Sequence, residues 1–95
     1  MSQATVRIPA PLRPLVGGNA EVTLDGSTVG EVLTKLGASH DGFLDRILDD
    51  EGRVRSFVNL FLDDRNIRAL GGLDTPVHEG AILHIVPAVA GGQDR

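Results

Sequence analysis

The residues able to do chemistry are sparse in this chain, and their spacing removes most of the reactions they might support. The three histidines, His40, His78 and His84, are far apart and lack the spacing of a metal site. Asp63-Asp64 and Asp49-Asp50-Glu51 have the charge for an acidic pair or a calcium loop. No EF-hand spacing follows either of them, and turn chemistry accounts for both. Ser27, Ser39 and Ser56 stand in no nucleophile motif, and the glycine-rich stretches lack a P-loop lysine. With no cysteine in the chain, disulfides, thiolate metal sites, persulfides and cysteine nucleophiles are removed together. No constellation resembles an active site, so the chain is expected not to be an enzyme and to hold no metal or cofactor of its own.

Glycine is the remaining residue type with a pattern. The 12 glycines include pairs at Gly17-Gly18, Gly71-Gly72 and Gly91-Gly92. The first two pairs fall where the chain must turn, and left-handed backbone geometry suffices for them. The third pair follows Pro87-Ala88-Val89-Ala90, precedes Gln93-Asp94-Arg95, and connects no two elements. Such a pair gives nothing to a core and costs backbone entropy when ordered. From the residues alone, an uncommitted flexible tail is as good an account as any.

The elements that must position these residues follow from length and periodicity. A chain of 95 residues with 41% hydrophobic and 23% charged residues is expected to fold as one small soluble domain. The net charge of -4, three aromatic residues and absence of a basic run argue against nucleic acid as a partner. No apolar run approaches a bilayer span, and MSQATVRIP lacks the regions of a signal peptide, so a cytoplasmic location is expected.

Along the chain, Thr5 to Ile8 reads as a strand ended by the prolines at 9, 11 and 14. After a turn at Val16 to Asn19, Ala20, Val22 and Leu24 alternate with polar residues as a half-buried second strand. Thr28-Val29-Gly30-Glu31 is a capping box. Behind it Val29, Val32, Leu33 and Leu36 share one helical face, and Gly37 is expected to close the helix in a left-handed cap. Phe43, Leu44, Ile47 and Leu48 repeat that spacing in a shorter helix ending at Asp49 to Gly52.

Phe57 to Leu62 places Val58, Leu60 and Leu62 on one face and Phe57, Asn59 and Phe61 on the other. A hairpin turn over Asp63 to Asn66 leads to a brief returning strand at Ile67 and Arg68, with a bend at Gly71-Gly72-Leu73. His78-Glu79-Gly80 then turns into Ala81 to Val86, an apolar strand of the kind found inside a sheet. The expected fold is α+β, a mixed sheet of four to five strands with a parallel crossover, packed on one main helix plus a short second helix.

The stretches VNLFLDD and RNIRALGGLDTPVHEGAILHIVPAVAGG resemble the C-terminal half of the ThiS/MoaD sulfur carriers, which have the ubiquitin-like β-grasp fold. The similarity runs back through the helix to VRIPAPLRP, and PAVAGG is its most specific part. It is nearest to the carriers of thiocarboxylate-dependent cysteine biosynthesis. It implies a β-grasp domain over residues 1–86 and a tail over 87–95, with Gly92 as the working residue. Pro87, Ala88, Val89, Ala90 and Gly91 would carry Gly92 into a partner's active site. Fully extended, Pro87 to Gly92 spans roughly 20 Å. An E1-like activating enzyme would adenylate the Gly92 carboxylate with ATP, a sulfur donor would convert it to a thiocarboxylate, and a sulfur-accepting synthase would take the sulfide.

The chain departs from that pattern at Gln93-Asp94-Arg95. While they are attached, Gly92 is an internal amide, which implies maturation by a JAMM-type metalloprotease. Partners must also grip the domain. If Leu83 and Ile85 face the core with Leu60 and Leu62, alternation leaves Asn59, Phe61, Ile82, His84 and Val86 on the opposite sheet face as a docking patch, unless a helix or loop covers them.

Overall fold

The computed structural model describes residues 2–87. Five strands form one sheet: β1 (Ser2–Arg7), β2 (Glu21–Gly26), β3 (Val58–Leu62), β4 (Arg65–Asn66) and β5 (Ala81–Pro87). Two helices, α1 (Val29–Ser39) and α2 (Phe43–Ile47), lie between β2 and β3. The strand order is β2-β1-β5-β3-β4. β1 pairs antiparallel with β2 and parallel with β5, while β3 pairs antiparallel with β5 and β4. The expected mixed sheet is therefore present, and the apolar final strand lies at its centre. Among the described residues, no helix is long and apolar enough to cross a membrane.

The core forms where the helix stripe meets one sheet face. Val29, Val32, Leu33 and Leu36 of α1 are buried, as are Ala4, Val6, Leu60, Leu62, Leu83 and Ile85 from three adjacent strands. At about 25 cal/mol per Å² of apolar surface removed from water, this shared interior is the main force holding helix to sheet. The Thr28 hydroxyl accepts from the Glu31 amide at 3.2 Å, as a capping box requires. The Glu31 carboxylate reaches one residue further back than the motif predicts, accepting from the Ser27 amide. That bond holds the Glu31 carboxyl below its ordinary pKa.

Four local expectations are corrected. Gly37 does not close the helix: α1 continues to Ser39. A Cβ on Gly37 would lie 2.4 Å from Leu44 Cγ, so the glycine is needed for the close approach of α2. Gly37→Ala is expected to destabilise the fold by about 1 kcal/mol, the overpacking cost exceeding the helix propensity that alanine gains. Denaturant titration of Gly37→Ala alone and combined with Leu44→Ala checks this, because the second change should remove the clash.

The second correction concerns residues 10–16, which form a 3-10 helix (Ala10–Val16) capped by Gly17 at φ 68° rather than a plain proline break. Pro9 is its N-cap and Pro11 lies in its first turn, where a missing N–H costs no helical hydrogen bond, while Pro14 lies inside it. It buries Leu12 and Val16. Third, the returning strand is Arg65–Asn66, while Ile67–Ala69 is a 3-10 turn. Ile67, only 1% exposed, turns into the core instead of extending the edge. The last strand, fourth, runs one residue beyond Val86, because Pro87 keeps register with Val58.

Candidate functional site

Alternation sorts the residues of β3 and β5 between two faces as their spacing predicts. Leu60, Leu62, Leu83 and Ile85 are buried against α1, so Asn59, Phe61, Ile82, His84 and Val86 occupy the other face. Antiparallel register sets Asn59 opposite Val86 and Phe61 opposite His84. On the other side of β5, Thr5 and Arg7 stand opposite Ile82 and His84. Of the five, Val86 is exposed and the other four are half-buried.

The face is most open at the end where β5 leaves the sheet. Phe57, at 53%, and Val86, at 43%, are two of the three large apolar side chains left exposed among the described residues. The strand expected from Phe57 begins at Val58 instead, and Phe57 lies in the turn before it. Arg68 donates to Asn59 Oδ1 at 2.8 Å and to the Arg55 carbonyl at 2.9 Å. The guanidinium thereby ties the loop before β3 to the strand. On the β1 side, a pocket of about 170 Å³ is lined by Arg7, Pro9, Arg13, Ala20, His84 and Val86 together with Ile8 and Ile85. Arg7 is paired with Glu21 at 3.0 Å, and Arg13 donates through Nε to the Ile8 carbonyl at 3.0 Å.

The opposite end of the sheet carries a different arrangement. Asp63, at φ 57°, accepts from the Ile82 amide through Oδ1 at 3.1 Å and meets His78 Nε2 through Oδ2 at 2.7 Å. His78 Nδ1 also faces the Glu79 carbonyl at 3.0 Å. Both ring nitrogens then face acceptors, an arrangement that only the doubly protonated ring satisfies. The Asp63 carboxylate accordingly raises the His78 pKa above its ordinary 6.5. His78, first, and the Ile82 amide hold the Asp63 carboxyl below its ordinary 3.8.

The raised histidine stabilises the fold below about pH 6.5, and that contribution is lost as pH rises through its folded pKa. The lowered aspartate stabilises it above about pH 4, and that contribution is lost as pH falls through its folded pKa. The pair therefore helps most between those limits. Chemical denaturation at pH 5.5 and pH 8.5 is expected to show a wild-type advantage over His78→Gln at the lower pH that shrinks at the higher one.

Gly92, its carrier residues Ala88, Val89, Ala90 and Gly91, and the extension Gln93, Asp94 and Arg95 lie outside the described residues. Their root does not: Pro87 stands at the end of the central strand, between Val86 and the start of β3. The ThiS family profile matches residues 6–92. This chain belongs to the ThiS family. It is similar to the sulfur carrier protein CysO of Mycobacterium tuberculosis, with 41% identity over 90 residues that cover 93% of this chain and 97% of the relative. It is also similar to small archaeal modifier protein 3 of Haloferax volcanii, 38% identical over 68 residues, covering 72% of this chain and 73% of that one. Among solved structures, the Amycolatopsis orientalis BexX/CysO complex contains a chain that superposes with a TM-score of 0.87 at 38% identity. That match covers 94% of this chain and 99% of the other. The expected β-grasp architecture of the ThiS family is thus the one observed.

Proposed function

We propose that this ThiS-family chain is a sulfur carrier of the CysO type that works through the carboxylate of Gly92. The observation that carries the proposal is the extent of the family match, which ends at residue 92, at the second glycine of PAVAGG. Once Gln93-Asp94-Arg95 are cleaved by a JAMM-type metalloprotease, Gly92 presents a free carboxylate. On an E1-like enzyme one carboxylate oxygen attacks the α-phosphorus of ATP and expels pyrophosphate, giving an acyl-adenylate. Sulfide from a donor then attacks the acyl carbon and the C–O bond to AMP breaks, leaving a thiocarboxylate.

Adenylation is needed because a carboxylate oxygen is a poor leaving group and AMP a good one. Glycines at 91 and 92 suit a terminus that enters a narrow channel, since no side chain obstructs it. The absence of cysteine fits sulfur carried on the backbone end. Asn59, Phe61, Ile82, His84 and Val86 form the face that docks on the activating enzyme and on a sulfur-accepting synthase. A relative in complex with BexX supports a second protein partner of this kind. The similarity to CysO favours cysteine synthesis in the cytoplasm as the destination of the sulfur.

The test is to incubate a chain ending at Gly92 with the host's E1-like enzyme, ATP and a sulfide source. A thiocarboxylate at Gly92, trapped with an alkylating reagent, is the expected product. No adenylate and no thiocarboxylate would overturn the proposal. The similarity to an archaeal modifier protein favours one second reading, in which a lysine amine of another protein attacks the same acyl-adenylate; isopeptide-linked lysines in the host would support it.

A further inference from the structure

We infer that the pocket beside Val86 is a socket for a carboxylate side chain of the activating partner, an assignment that rests on the carrier reading above. Arg7, Arg13 and His84 converge there from three segments: the end of β1, the 3-10 helix and the middle of β5. The whole chain carries a net charge of -4, yet this pocket is lined by two arginines and a histidine and contains no acid among its lining residues. Placement strengthens the point, since Val86 forms one wall and the tail leaves one residue later. The pocket thus adjoins the last described residues of the strand that leads into the tail.

Arg7 already holds an internal anion. Its Nε meets Glu21 at 3.0 Å, with both side chains about half exposed, so Glu21 occupies from one side the guanidinium that a partner's acid would approach from the other. Arg13 is fixed differently, by its Nε donating to the Ile8 carbonyl. Among the described residues no acid bridges to Arg13, and two of its nitrogens remain for a bidentate carboxylate contact. A pre-fixed guanidinium loses little conformational freedom on binding, which favours it as an anchor. The two sites make opposite predictions: removing the Arg13 charge weakens partner binding, and removing the Glu21 charge strengthens it.

The experiment measures ATP-pyrophosphate exchange by the host's E1-like enzyme with chains ending at Gly92. Arg13→Glu is expected to raise the KM for the carrier about tenfold, and Glu21→Gln to lower it about threefold, with kcat held in both. Raising the salt concentration should narrow both differences. Glu21→Gln removes only a half-exposed surface charge, so it decides the matter even if Arg13→Glu disturbs the Ile8 contact and the fold. KM unchanged in both variants, or raised by Glu21→Gln, overturns the socket. So does titration of the free protein with inorganic phosphate alone that saturates the pocket amides at micromolar concentration, since a free anion would then be the occupant. Failure of the wild-type chain to be adenylated at all is a separate result, which overturns the carrier reading and the occupant named here together.

Discussion

A chain ending at Gly92 is expected to support ATP-pyrophosphate exchange on an E1-like enzyme, and the full 95-residue chain is expected to support none. The difference is all-or-none because it concerns the reacting atom. With Gln93 attached, the Gly92 carbonyl belongs to an amide and has no oxyanion to attack phosphorus. Gln93, Asp94 and Arg95 also put bulky side chains where a channel suited to glycine admits none. Adding the maturing metalloprotease should restore exchange to the full chain. Exchange by the untrimmed chain alone would show that the last three residues are no block and would remove the need for processing.

The largest stability effect is expected in the core between α1 and the sheet. Leu33 is fully buried on α1 and packs among the inward side chains of the sheet. Leu33→Ala is expected to cost about 3 kcal/mol, combining the lost transfer free energy with the cavity left behind. A domain of this size has a total stability of about 5–15 kcal/mol, so the variant should unfold at markedly lower denaturant with little change in slope. Leu33→Met conserves volume and should cost under about 1.5 kcal/mol. Equal stability of wild type and Leu33→Ala would mean that α1 is not the element covering the sheet.

What the sequence made legible was what depends on near neighbours. Alternation at 58–62 and 81–86 and the helical stripe of α1 each repeat within a few residues, and each fell on the predicted face. The capping threonine was equally local. What stayed hidden depends on distant segments meeting. Gly37 looked like a terminator because nothing nearby reveals that Leu44 packs onto it. Ile67 looked like strand because its apolar character fits either an edge or the core, and only the two-residue length of β4 decides between them. The arginine-lined pocket was the least visible, since it depends on β1 lying parallel to β5 and bringing Arg7 beside His84. The diglycine was conspicuous in sequence, but the role proposed for it rests on resemblance, since residues 88–95 lie outside the described ones.

The most direct measurement is the intact mass of the protein isolated from its native host under conditions that preserve acyl sulfur. A form ending at Gly92, with one carboxylate oxygen replaced by sulfur, is the result this account predicts. A population ending only at Arg95, with neither sulfur nor a processed terminus, would contradict it.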